Sequence, residues 1–213
     1  MSQTEVQLIK ADAVQTGDIA NSAVTDAKIS ALTASKLTGA LPAISGASLT
    51  NLPASGITMH DSWCVNAGYS VPNGSSQITS NWSRNTTSSF GSIGSAMTES
   101  SGLFTFPSTG IYYIYFRGFF YRGSSGDHRY LGLNIEMTTN NNSSDTTVAS
   151  TYTNFKYIEG NTYQQCAVDY TFDVTDVSTH KVKFSTEALN TGLTAGDIGG
   201  RRFALTFTRL GDT

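Results

Sequence analysis

The chain has 213 residues, a formal net charge of −3 and only 14% charged residues. Without a basic tract it lacks the long-range attraction that nucleic acids and anionic membrane surfaces need, so we expect neither partner. No basic segment followed by an apolar one opens the sequence, and nowhere do about 18 apolar residues run together. We therefore expect a soluble protein without signal peptide or membrane insertion.

Residues 13–39 repeat one short motif three times, as AVQTGDI, AVTDAKI and ALTASKL. Each copy keeps two aliphatic residues five positions apart. One copy buries too little apolar area to offset its chain entropy, about 1 to 2 kcal/mol per residue, whereas stacked copies in neighbouring chains share their burial. The pattern predicts an oligomeric stalk; the alternative is a flexible linker with accidental similarity. The predicted interchain contacts are Val14, Ile19, Val24, Ile29, Leu32 and Leu37.

The aromatic content changes abruptly along the chain. No Trp, Tyr or Phe precedes Trp63, and every one of them follows from there. This change predicts a boundary between a repeat-containing stalk and linker at 13–58 and a separate domain at 59–213.

Beyond residue 60 the apolar residues alternate with polar ones, as in strands of a β-sandwich or barrel. In RYLGLNIEM, the residues Leu131, Leu133, Ile135 and Met137 share one face, which we expect in the core. The same alternation predicts core faces in two later strands: Cys166, Val168, Tyr170, Phe172 and Val174, then Phe203, Leu205 and Phe207. Asn73–Gly74 and residues 140–144 are predicted turns.

One strand, GIYYIYFRGFFY, is apolar on both faces. Tyr112, Ile114, Phe116 and Phe120 lie on one face, and Arg117 lies among the apolar residues of the other. A strand of this kind needs cover on both sides, and aromatic residues with arginine are enriched in interface cores. The second face is therefore a predicted subunit interface, made by Ile111, Tyr113, Tyr115 and Phe119.

The segment FTFPSTGIYYIYFRGFF, residues 104–120, resembles the signature of the C1q/TNF-like jelly-roll family. Phe104, Pro107, Gly110 and Tyr112 match the family motif, and Ile114 replaces its next aromatic residue. The closing GRRFALTFTRLGD resembles that family's final strand. The resemblance implies an all-β, C1q/TNF-like jelly-roll sandwich that forms homotrimers, with the second apolar face on the threefold axis.

The repeats, with SGASLTNLP at residues 45–53, resemble the stalks of bacteriophage tail fibres and related virion fibres, particularly those of cyanobacterial phages. This resemblance implies a homotrimeric virion fibre, on the tail or the capsid surface, that is assembled in the host cytoplasm. Residues 1–12 would attach it to other virion proteins, and the head at 59–213 would bind a host-surface glycan or protein. The alternative is a structural head fibre, capsid decoration or tail component that does not determine the receptor.

Candidate receptor-binding residues combine flat apolar rings with short hydrogen-bonding groups, since sugars stack their C–H faces on rings and need partners for their hydroxyls. They are Tyr121, Tyr130, Asn141 and Tyr152. The alternative for each aromatic residue is a place in the core.

No motif for catalysis, a cofactor or a metal is evident, so we expect no enzyme and no cofactor. Asp169, Asp173 and Asp176 either contribute to a calcium site or lie on an exposed strand face, which we favour. Cys64 and Cys166 have no metal-ligand spacing and are expected to be buried thiols rather than a disulfide. A depolymerase with its carboxylates on separate loops remains the catalytic alternative.

Overall fold

The computed structural model describes Ala20, Thr25 and residues 56–84, 91–122, 128–156, 158, 162–189, 193–195 and 202–213. The chain divides into two units, Met1–Leu52 and Pro53–Thr213, and nearly all described residues belong to the second. The predicted stalk contacts Val14, Ile19, Val24, Ile29, Leu32 and Leu37 lie outside the described residues. The predicted domain limits stay predictions. Within the described part of the chain, no helix has the length and hydropathy needed to span a membrane.

The described residues form thirteen β-strands and no helix. In chain order the strands are β1 Met59–Val65, β2 Tyr69–Val71, β3 Gly74–Gln77, β4 Trp82–Arg84, β5 Thr98–Ser100, β6 Leu103–Thr105, β7 Gly110–Arg122, β8 His128–Thr138, β9 Thr146–Phe155, β10 Thr162–Val174, β11 Lys181–Ala188, β12 Leu193–Ala195 and β13 Ala204–Gly211. They form two sheets, and every pairing is antiparallel.

The first sheet is organised around the long strand β7. β10 pairs with β7 along its whole length, from Thr162 opposite Arg122 to Val174 opposite Gly110. β13 pairs with the first half of β7, β12 pairs with its end, and the order continues from β13 through β1 to β4. Opposing residues of an antiparallel pair share a face, so this register fixes which side chains lie together on the outside.

The second sheet runs in the order β5-β6-β11-β8-β9, and β3 pairs with the second half of β11. The β8–β11 register places Leu133 opposite Thr186 and Gly132 opposite Glu187. β8 and β9 form a hairpin whose loop comprises residues 139–145. Because β8 ends where β11 begins, this loop lies at the end of the sandwich that also carries the β10–β11 turn.

The core lies between the two sheets and is built around aromatic rings. Phe104 has its ring centroid 5.4 to 5.5 Å from those of Trp63, Trp82, Phe184 and Phe207. The contacts with Trp63, Trp82 and Phe184 are edge-on, a geometry that adds to the stabilisation that burial of the rings provides.

The predicted core faces are confirmed. Leu131, Leu133, Ile135, Met137, Tyr112, Ile114, Phe116, Phe120, Val168, Val174, Phe203, Leu205 and Phe207 are buried, and Cys166, Tyr170 and Phe172 pack against them. Trp82 is also buried, and its indole Nε1 donates to the carbonyl oxygen of Ile78 at 2.9 Å.

The part of the C1q/TNF-like signature that precedes β7 forms a fixed corner. Tyr112 is fully buried, and its hydroxyl donates to the carbonyl oxygen of Ser108 at 3.0 Å. Gly110 has a φ of 138°, and a Cβ there would lie 2.5 Å from the carbonyl oxygen of Gly211. The glycine is therefore needed both for its backbone conformation and for the close approach of β13.

A buried carboxylate holds β1 against β4 and the segment before β5. Asp61 is only 1% exposed, and it accepts hydrogen bonds from the Trp63 indole at 2.9 Å and from the Met97 backbone at 3.0 Å. Arg84 lies 3.1 Å from the same carboxylate and stacks over the Trp63 ring. Together these donors satisfy a charge that would otherwise be costly to bury.

Candidate functional site

The outer face of the first sheet carries the predicted interface residues. Ile111, Tyr113, Tyr115 and Phe119 alternate with the core residues of β7 and are half-buried; we call them, with Arg117, the aromatic stripe. The stripe is bordered by short polar side chains, because Thr206 and Thr208 of β13 lie opposite Tyr115 and Tyr113. The large rings therefore stand above their neighbours on that side.

On the other side of the stripe, β10 adds exposed polar residues. Asp169 lies opposite Tyr115, and Thr171 lies opposite Tyr113. Burial first, and then the negative charges of Asp169 and of ionised Tyr115, raise the pKa of Tyr113 above its usual value. The Tyr113 hydroxyl is therefore neutral at physiological pH and available as a hydrogen-bond donor.

An aromatic group extends the stripe toward the end of β7. The Phe119 and Tyr163 rings stack with centroids 5.3 Å apart, and Tyr121 lies 6.3 Å from Tyr163. The Arg202 guanidinium lies 4.9 Å above the Phe119 ring. Tyr121, a predicted receptor-binding residue, is thus continuous with the predicted interface.

A second aromatic group lies on the outer face of the other sheet, where the structure brings together two predicted receptor-binding residues. The Tyr130 and Tyr152 rings are nearly perpendicular, at 88°, with centroids 5.8 Å apart. The Tyr152 hydroxyl donates to Glu187 Oε2 at 2.9 Å. Burial and this hydrogen bond raise the pKa of Tyr152, so its phenol stays protonated at neutral pH.

Asn141 does not join either group. It lies in the exposed β8–β9 loop with a φ of 53°, and its backbone N–H donates to the Thr179 carbonyl oxygen at 2.9 Å. Tyr130 lies near the start of β8 and the loop follows its end, so about eight residues of strand, roughly 26 Å, separate the two. The four predicted receptor-binding residues therefore occupy three separate places.

Three residues near these groups were not singled out by sequence reasoning. Tyr163 continues the alternation of β10 on the outward side, a signal that the period-two pattern contains. Glu187 and Asn134 lie near the Tyr152 hydroxyl because the register of β8, β9 and β11 brings them there. That register depends on pairing between strands distant in sequence, which one chain's pattern does not specify.

The three aspartates considered for a calcium site lie on β10 and just after it. Asp169 and Asp173 lie on the exposed face of β10, as favoured, and Asp176 accepts hydrogen bonds from Ser178 that lower its pKa. Among the residues that the structure describes, no three His, Cys, Asp or Glu side chains are placed to hold a metal ion.

No disulfide joins the two cysteines, as expected. Cys64 and Cys166 are half-buried and lie on opposite faces of the first sheet, the former outward and the latter toward the core. The two faces are separated by the sheet itself, so the thiols do not meet.

Comparisons with known proteins identify the fold. No protein-family model and no curated protein match the chain. The chain is similar to crystal structures of murine APRIL at pH 8.5 and at pH 5.0, each with a TM-score of 0.50 and 12% identity. Each match covers 71% of this chain and 98% of the other. The predicted all-β, TNF/C1q-like jelly roll is therefore confirmed; at this identity the similarity shows the fold alone.

Proposed function

We propose that the chain is a homotrimeric virion fibre protein of a bacteriophage whose jelly-roll head binds a receptor on the host surface. The head occupies residues 59–213, the stalk 13–58 and the attachment peptide 1–12. The proposal joins three supports: the stalk-like repeats, the TNF-like fold of the head, and the aromatic stripe. The proposed function is that of a binding protein rather than an enzyme.

The aromatic stripe is the observation that carries the proposal. Large apolar rings on the outside of a sheet leave area in contact with water, and each such ring contributes on the order of 200 Å² when buried. A second and a third copy of the same chain cover these rings if the three stripes meet around a common axis. Subunit contacts at the heads would then add to the burial shared along the repeats.

Trimeric assembly also suits receptor binding. Three identical weak sites on one particle gain from effective concentration, because each further contact is intramolecular once the first has formed. The exposed tyrosines at the β7–β10 end and on the second sheet provide rigid, amphipathic contact area of the kind that recognition surfaces use.

The receptor role is tested by competition for adsorption. Full-length protein is added to host cells before the phage that carries this gene, and free virions are counted. We expect saturating protein to reduce adsorption severalfold and a heat-denatured sample to have no effect. Antibody against the chain that labels virions while the protein leaves adsorption unchanged would instead establish the structural role.

A further inference from the structure

The Tyr152 ring lies across the second sheet as a supported platform. Tyr152 belongs to β9, its ring passes over Gly132 of β8, and its hydroxyl reaches Glu187 of β11. A Cβ at Gly132 would lie 2.6 Å from the Tyr152 Cδ1, so only glycine leaves room for the ring. Tyr130 stands perpendicular beside it. The ring is fixed on three sides, yet Tyr152 remains 52% exposed.

Two polar residues, Glu187 and Asn134, lie beside the platform. Glu187 Oε2 accepts hydrogen bonds from the Tyr152 hydroxyl and, at 3.2 Å, from Asn134 Nδ2. Glu187 Oε1 takes part in neither of these two bonds, and within the described part of the chain Asn134 Oδ1, whose residue is 3% exposed, has no hydrogen-bonding partner. The amide cannot satisfy its oxygen by turning over, because Oδ1 would then face the carboxylate.

A rigid exposed ring beside an acceptor-rich carboxylate matches one ligand chemistry closely. A hexose presents an apolar face of C–H groups and, at its edge, hydroxyl groups that donate hydrogen bonds. From this geometry we propose that Tyr130, Tyr152 and Glu187 form a binding site for a neutral hexose of a surface glycan. The hexose C–H face stacks on Tyr152, and a hydroxyl donates to Glu187 Oε1. This inference rests on the proposed receptor-binding function and names its ligand class.

The charge of the site sets its specificity. Glu187 has no cationic partner in the described residues, whereas Lys183, four residues earlier on β11, is paired with Asp145. An acidic sugar would bring a second negative charge beside Glu187 and is therefore disfavoured. An ammonium group could also bind between the two tyrosine rings and the carboxylate. It is the competing ligand that the experiment must distinguish from a hexose.

The test measures binding of the full-length protein to methyl glycosides of glucose, galactose and mannose by saturation-transfer NMR and titration. We expect millimolar binding of at least one glycoside, with saturation strongest on the protons of one ring face, and weaker binding of glucuronate. Tyr152→Ala and Glu187→Gln should each weaken it at least tenfold, and Tyr152→Phe, which keeps the ring, should weaken it less than Tyr152→Ala. Leu210→Ala removes an apolar side chain of similar exposure, 56%, from the other sheet and should leave binding unchanged.

Absence of binding by all three glycosides overturns the inference, as does equal loss in Tyr152→Ala and Leu210→Ala. Binding of choline without any glycoside overturns it in favour of an ammonium site. The proposed receptor function fails separately. If the protein binds glycosides through Tyr152 but leaves phage adsorption unchanged, the hexose site is supported and the receptor role is refuted. If the protein blocks adsorption without binding glycosides, the receptor role is supported and the hexose site is refuted.

Discussion

The corner before β7 requires glycine at position 110. We expect Gly110→Ala to lower the free energy of unfolding by about 2 kcal/mol, because its φ of 138° is unfavourable for alanine and the Cβ meets the Gly211 carbonyl oxygen. Urea denaturation at fixed protein concentration measures the change. The matched control is Gly91→Ala, where a Cβ would meet nothing within 4 Å and no positive φ is present.

Equal stability of the two alanine variants would show that the corner tolerates a side chain. It would also remove the structural reason for glycine in the family-like motif. A stability loss confined to Gly110→Ala would instead link that motif directly to the contact between β7 and β13.

Cys166 gives a second prediction at this scale. Burial raises the pKa of its thiol to about 12 from the usual 9.0, so the thiolate fraction at pH 8 falls about a thousandfold. In a Cys64→Ser variant, we expect iodoacetamide to label Cys166 far more slowly in the folded protein than in urea. Similar rates in the two states would contradict burial of this thiol.

The same shift has a consequence for stability. Because the pKa of Cys166 is higher in the folded state than in the unfolded state, the neutral thiol favours folding at every pH below 9. This contribution declines as the pH rises from 9 toward 12. Cys166→Ala should remove this part of the alkaline loss of stability, which denaturation at pH 8 and pH 11 measures.

At the scale of elements, the aromatic stripe of β7 is the feature with the largest expected effect on assembly. Tyr115→Lys replaces a ring with a charge that three copies would bring together near one axis, where burial and like-charge repulsion both oppose contact. We expect this substitution to prevent formation of the proposed trimer while the strand content of each chain, followed by circular dichroism, stays unchanged. Tyr152→Lys is the control, since it places the same substitution on the other sheet.

A Tyr115→Lys protein that keeps the mass and melting temperature of the original would exclude the stripe as an interface. Dissociation of both lysine variants would mean that assembly involves the second sheet as well. Dissociation of Tyr115→Lys alone is the result that the stripe predicts.

Period-two alternation was sufficient to predict the faces of β7, β8, β10 and β13, because burial of one face is a local property of a strand. It was insufficient for Asp61, whose burial depends on Arg84 and Met97 from other parts of the chain. The same limit applies to the candidate site. Tyr130 and Tyr152 were each predicted to bind the receptor. The position of the Tyr152 ring over Gly132, beside Tyr130, follows from the β8–β9 register.

At the scale of the whole molecule, the jelly roll was predicted from a short segment because that segment contains a geometric requirement. Gly110 and Tyr112 fix the corner that leads into the central strand, and their spacing is visible in the sequence. The number of chains is a different matter. It depends on surfaces that one chain presents to another, and the stripe indicates such a surface without specifying how many copies meet there.

The central claim is that this chain works as a trimer, and the mass of the full-length protein in solution tests it most directly. Light scattering coupled to size exclusion should give three times the 22.7 kDa of one chain, independent of concentration over the micromolar range. A stable monomer at 22.7 kDa would contradict both the shared burial of the repeats and the interface formed by Ile111, Tyr113, Tyr115 and Phe119.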